Sequence, residues 1–163
     1  MDRLKGFWPF LGYTLGLFVA LRLLHVAVPV LHPELHRGPY RVARIEETPP
    51  QLGFSPWVPY YRPQRLGLRP SEITITQQPA PRIVIAWQGD SFLRLTEQRG
   101  APRPLPPHSR PLTSRPGAYW WRDKETLHAA LQANDLWIAV ETDLPERDFQ
   151  RVVDTLRPFE ELR

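Results

Sequence analysis

The stretch LWIAVETDLPERDFQRVVDTL, from Leu136 to Leu156, carries the reading that decides the fold. Its first half, Leu136 to Glu141, holds Trp137, Ile138, Ala139 and Val140, an apolar and β-branched run suited to a strand. Its second half changes period. Phe149, Val152, Val153 and Leu156 fall at i, i+3, i+4 and i+7, the apolar stripe of a helix. Arg147, Asp148, Gln150, Arg151 and Asp154 lie mainly off that stripe. Asp143 with Glu146 three residues later has the spacing of a capping box. Pro145 is acceptable in the first turn, and Pro158 stops the helix. A sheet strand followed by an amphipathic helix lays that helix on one face of the sheet, and the fold class is α+β.

Working backwards, Asn134-Asp135 is a hairpin turn. Residues 123–132 fit two patterns. Asp123 followed by Thr126, Leu127 and Leu131 suits a short helix, while Leu127, Ala129 and Leu131 make one face of a strand; we read a hairpin. Gly117 to Arg122, with Tyr119, Trp120 and Trp121, is a compact aromatic strand. Ile73 and Ile75 alternate with Thr74 and Thr76, and Ile83, Ile85 and Trp87 alternate with Val84 and Ala86, which suits a strand covered on both faces. Gln88-Gly89-Asp90 turns the chain into Phe92, Leu93 and Leu95, a second hairpin. Trp57 to Pro63 is aromatic and interrupted by Pro59 and Pro63, which suits an edge strand.

The chain has 163 residues, 20 of them proline, no cysteine, six tryptophans and a formal net charge of +4. Its only lysines are Lys5 and Lys124. Prolines concentrate in residues 99–116, with Arg103, Arg110 and Arg115 among them, so this loop favours polyproline II. Arg103-Pro104-Leu105-Pro106-Pro107 has the form of a ligand for a proline-binding module, though such strings arise by chance in so proline-rich a chain. The lack of cysteine excludes disulfides, thiolate metal sites and cysteine catalysis. No lysine-rich run or basic helix stripe marks a nucleic-acid partner.

Phe7 to Leu31 is apolar apart from Arg22 and His25, long enough for a bilayer of about 30 Å, and is expected to be a transmembrane helix. A cleaved signal peptide fits less well, because Phe18 and His25 stand two positions before the candidate cleavage residues Ala20 and Ala27. Expected intramembrane contacts are Gly12 and Gly16, at small-xxx-small spacing, with Arg22 and His25; Arg22 either snorkels or meets a partner helix. Membrane lipids are then one partner. Arg3 and Lys5 favour a cytoplasmic N-terminus, and Arg37, Arg41 and Arg44 argue the reverse. His32 and His36 stand four apart with Glu34 between, but Pro33 breaks a helix there and no third ligand follows, so no metal is expected. The expected organisation is a cytoplasmic tail at 1–6, the transmembrane helix at 7–31, a connector at 32–47 and an extracytoplasmic domain at 48–163, its sheet a small antiparallel one.

No serine elbow, phosphate-binding glycine loop or paired metal-ligand motif is present. Asp90, Glu97, Glu141 and Asp143 each sit where a turn, strand edge or cap uses them. No enzyme activity, catalytic residue or cofactor is expected. The candidate exterior binding face is Tyr60, Tyr61, Trp120 and Trp121.

Gly53-Phe54, Pro59, Pro63 and Leu66, then Ile83-Val84-Ile85, then Gly117-x-x-Trp120-Trp121 and Leu136 to Thr142 with the acidic-capped helix, together resemble a bacterial extracytoplasmic domain family of unknown function. That family occurs in anti-sigma-factor-like and envelope-associated membrane proteins and is distantly similar to lipoprotein-carrier and sigma-regulator sheets. The resemblance covers residues 48–158. Arg65 departs from it where the family often has glycine, and the proline-rich loop is unusual. It implies an exterior binding or assembly module with a protein partner, as an accessory subunit of a membrane complex or an envelope sensor. The alternative is a carrier or sensor of an apolar ligand held between sheet and helix.

Overall fold

The computed structural model describes residues 15–23, 38–77, 79–100 and 103–162. It falls into two compact units, Met1–Arg37 and Gly38–Arg163.

In the first unit residues 15–23 form a helix, α1. Among the described residues no helix is long and apolar enough to cross a membrane. The expectation of a transmembrane helix over 7–31 is corrected accordingly. The remainder of that span, with Gly12 and His25, lies outside the described residues, as do His32, Glu34 and His36. Within α1, the Arg22 guanidinium stands 5.6 Å from the Phe18 ring centroid, and a Cβ added at Gly16 would meet nothing within 4 Å.

The second unit is built on an antiparallel sheet larger than the small one expected. Its strands are β1 (Tyr40–Arg41), β3 (Glu72–Thr76), β4 (Arg82–Gln88), β5 (Phe92–Arg99), β6 (Arg110–Pro111), β7 (Ala118–Asp123), β8 (Thr126–Ala133) and β9 (Leu136–Thr142), in the spatial order β1-β3-β4-β5-β9-β8-β7-β6. A separate ribbon pairs β2 (Trp57–Pro59) with β10 (Leu156–Pro158). Residues 123–132 are strand, and β8 and β9 form the hairpin around Asn134-Asp135. At the β4–β5 turn, a Cβ on Gly89 would stand 2.4 Å from the Arg65 carbonyl oxygen, so only glycine fits there.

The order explains the proline-rich loop. β5 pairs with β9, not with β6, so after Arg99 the chain must reach the far edge and walk back inwards. Four strand spacings make about 19 Å. A polyproline II segment rises about 3.1 Å per residue without internal hydrogen bonds, which suits such a crossing.

Strand alternation sorts the side chains into two faces. On the inner face the register aligns Ile85, Leu95, Val140, Ala129 and Trp120 in one row and Ile83, Glu97, Ile138, Leu131 and Ala118 in the next. The helix α3 (Glu146–Asp154) covers this face through Phe149, Val152 and Val153, all fully buried. The Phe149 and Trp120 rings lie 6.4 Å apart, tilted by 56°.

Two local expectations at α3 are corrected. The capping box does not form: Pro145 is the N-cap without a side-chain bond, because Asp143 Oδ1 accepts the Phe92 amide at 2.8 Å instead. The helix also stops before Leu156. Thr155 Oγ1 donates to the Arg151 carbonyl, the Thr155 carbonyl accepts the Tyr60 amide at 3.1 Å, and Leu156 enters the core from β10. The ladder with β2 outweighs the last turn. The Arg115 guanidinium donates to the Val153 carbonyl and, at 3.2 Å, to the Leu156 carbonyl, satisfying the exposed end of the helix.

Glu97 is the one charged-type side chain wholly buried in this face. Both of its carboxyl oxygens accept the Trp57 amide, at 3.0 and 2.9 Å. Burial pushes its pKa from 4.5 up to about 8, partly offset by the Trp57 amide. The folded state therefore holds this proton through neutral pH while the unfolded chain releases it. The associated stability is fully present below pH 4.5 and is lost as pH rises to about 8. The difference is on the order of 4–5 kcal/mol. Urea titrations from pH 5 to 8.5 are expected to show falling stability, and Glu97→Gln is expected to flatten the slope. An unchanged slope in the variant would assign the pH dependence to other groups.

Candidate functional site

The outer face of the large sheet carries no helix among the described elements, although part of the proline-rich loop lies against it and Ala130 and Trp137 are buried there. One register row runs Val84, Thr96, Ala139, Ala130 and Tyr119. Beside it lie Arg82, Gln98, Trp137 and Gln132 on one flank, and Ala86, Arg94, Glu141, His128 and Trp121 on the other. Ala139 and Ala130 face each other in the middle, with Trp137 on one side and Trp121 and His128 on the other. Small side chains between large ones make a furrow, and Tyr119, 40% exposed, closes its end.

The furrow opens into two grooves. The first, of about 670 Å³, lies between the proline-rich loop and the sheet and is lined by Arg103, Pro104, Leu105, Gly117, Tyr119, Gln132 and Trp137. The second, of about 790 Å³, lies at the other side of the face and includes Phe92, Arg94, Asp123, His128 and Glu141. Here the Trp121 ring stacks on His128 with centroids 5.3 Å apart and planes within 4°. Arg94 and Glu141 form an exposed ion pair at 3.8 Å.

The residues expected to form one exterior face are placed apart. Trp121 is on the outer sheet face. Trp120, its neighbour in sequence, points inwards at Phe149, because consecutive strand residues face opposite ways. Tyr60 is 76% exposed just after β2. Tyr61 donates to Asp148 Oδ1 at 2.8 Å, and the Arg151 guanidinium lies 3.8 Å over its ring. The hydrogen bond to Asp148, with burial second, raises the Tyr61 pKa. Around these two tyrosines is a separate groove of about 570 Å³ with Arg62, Arg151 and Thr155. The proline-rich loop and Tyr119, Ala130, Trp137 and Ala139 were the missing part of the sheet site. Their signal was present in the alternation of Trp137, Ala139 and Glu141 with Ile138 and Val140.

A further cleft of about 420 Å³ is bounded by Arg44, Ile45, Arg69, Ile73 and Phe159. The space between sheet and α3 is occupied by Phe149, Val152, Val153, Ile138 and Val140, each fully buried. Among the described residues no three His, Cys, Asp or Glu side chains are grouped to hold a metal ion. Glu97, whose carboxyl pKa is displaced upwards most, faces the Trp57 amide within the core and not a cleft.

No protein-family description matches the chain, and no curated protein matches it. Among solved structures, a crystal structure of MucB in complex with MucA(peri) is similar at a TM-score of 0.43 and 17% identity, over 63% of this chain and 36% of that one. The match thus spans about a third of that protein's length. A likeness of this size assigns neither partner nor activity.

The two faces differ in what they hold together. Ile138→Ala empties a filled layer and is expected to lower the unfolding free energy by about 2–5 kcal/mol. Tyr119→Ser, on the outer face, is expected to change it by less than about 1 kcal/mol. Urea denaturation followed by circular dichroism measures both. A large loss for Tyr119→Ser would make the furrow part of the core.

Proposed function

We propose that Gly38–Arg163 is a non-enzymatic protein-binding module whose outer sheet face is its docking surface. The observation that carries this reading is the furrow of Ala130 and Ala139 between Trp137, Trp121 and Tyr119. Tyr119 is exposed, Trp121 and Ala139 are half-buried, and Ala130 and Trp137 form the buried base of this strip, so a partner would meet its aromatic rim. Aromatic side chains contribute large contact areas at low conformational cost and are the commonest anchors of protein interfaces. The carrier alternative has less support. A ligand held between sheet and helix needs space there, and the side chains of Phe149, Val152 and Ile138 occupy it.

The role as an accessory subunit of an envelope complex, or a sensor of envelope state, rests on the resemblance of residues 48–158 to envelope-associated domains. So does the placement of this unit outside the cytoplasm.

A photo-crosslinking amino acid at Tyr119 is expected to give a discrete adduct in living cells. The same residue at Leu68, which is 90% exposed on a distant loop, is expected to give none. Equal labelling at both positions, or none at Tyr119, would remove the outer face as the docking surface. Alkaline phosphatase fused after Arg163 is expected to be active in cells, because that enzyme needs an oxidising compartment. An inactive but intact fusion would place the module in the cytoplasm.

A further inference from the structure

The groove under the proline-rich loop specifies more of its occupant than its shape. Trp137 and Gln132 line its sheet side, and the register row they belong to continues beyond the groove to Gln98 and Arg82 across β5 and β4. Side chains so opposed stand about 4.5–5.5 Å apart at Cβ and share one face. Trp137 is therefore flanked by two carboxamides. Arg103 Nη2 donates to Gln98 Oε1 at 3.1 Å, so its guanidinium lies over the residue that Arg82 opposes. Two cations thus meet at Gln98.

Among the described residues neither cation is paired with a carboxylate. Arg103 is bound only to the neutral Gln98, and Arg82 has a buried Nε without a hydrogen-bond partner. A buried donor with no acceptor is a standing cost. The acid next to this end of the sheet, Asp135, is held by Arg99 at 2.7 Å. The other flank of the face is different, since its Arg94 already has Glu141. Charge at the loop end is positive and uncompensated.

The amides carry spare capacity as well. Among the described residues Gln98 Nε2 has no hydrogen-bond acceptor, and Gln132 donates to the Asn134 carbonyl at 2.9 Å while its own oxygen accepts no bond. One donor and one acceptor on opposite sides of an indole match a peptide unit. Leu105 and Pro104 form the opposing apolar wall, and Gly117 leaves one end clear, with no atom within 4 Å of an added Cβ.

We propose that this groove binds an extended protein segment that sets an apolar side chain against Leu105 and the exposed edge of Trp137, which is 9% exposed, and a carboxylate against Arg103, with Arg82 next along the same register row. The proposal rests on the outer face being a docking surface and names the chemistry of the partner there. The apolar side chain supplies area, the carboxylate supplies charge-assisted bonds to a waiting cation pair, and the carboxamides hold the backbone between them.

The test is a phage-displayed library of random dodecapeptides panned on the full chain. Enriched sequences are expected to place Asp or Glu within two positions of an aromatic or aliphatic residue. A synthetic peptide of the enriched sequence should bind more weakly as salt rises. Arg103→Glu and Leu105→Ala, both on the loop, are expected to weaken it roughly tenfold or more, while Arg103→Lys keeps part of the affinity. Enrichment of sequences without acidic residues, or affinity indifferent to Arg103→Glu, overturns the proposal. If such binding still falls with Tyr119→Ser and Trp121→Ser, the outer face remains a docking surface and only the acidic segment is lost. If those variants also have no effect, both readings fall. A library that enriches nothing overturns the proposal too.

Discussion

The hydrogen bonds from the Trp57 amide to the Glu97 carboxyl set the placement of the inner layer. Three residues of β2 cannot hold themselves against an eight-stranded sheet by one short ribbon partner. A carboxyl in the middle of the apolar face gives the ribbon a fixed polar anchor. Once Trp57 is anchored, Val58 is buried, Pro59 lies opposite Leu156, and the chain end is drawn back onto the sheet. Arg115 then stacks 5.3 Å from the Trp57 ring and closes the end of α3. The price is a carboxyl that has to keep its proton in the folded state.

This arrangement makes the two faces unequal. α3, the ribbon and the short helix α2 (Pro49–Leu52) all contribute to the core of the inner side, where Leu52, Phe149 and Leu156 are buried. Apolar burial is then concentrated on one face, and the outer face keeps small and aromatic side chains in alternation with polar ones. The loop that crosses to β6 passes along that outer face and builds one wall of a groove from Pro104 and Leu105. A connection required by topology thus also shapes the surface proposed for binding.

Much of the fold was legible because local periods speak for themselves. Ile73 and Ile75, Ile83 and Ile85, the turn at Asn134-Asp135 and the Phe149–Val152–Val153 stripe each follow from spacing. The turn at Lys124-Glu125 carries no such signature, although Lys124 takes the left-handed conformation at φ 55°. The pairing of β5 with β9 is non-local and leaves no mark in either strand. Glu97 shows the same limit at one residue. It occupies the third inward slot after Leu93 and Leu95, yet a glutamate reads as solvent-facing until its partner, forty residues away, is known. The site was half legible for a similar reason. Tryptophans at 120 and 121 look like one patch in sequence and lie on opposite faces in space. Leu156 continued a helical stripe, and the ribbon claimed it instead. The apolar length of residues 7–31 suggested a membrane span, whereas among the described residues no helix is long and apolar enough to cross a membrane.

The sheet ends in two very short strands, Tyr40–Arg41 and Arg110–Pro111. Each covers only part of the longer strand inside it, and Pro111 has no amide hydrogen to offer a newcomer. A foreign strand that tried to extend the ladder would find two residues of register and then nothing. Both margins of the sheet are therefore poor templates for edge-to-edge pairing between copies.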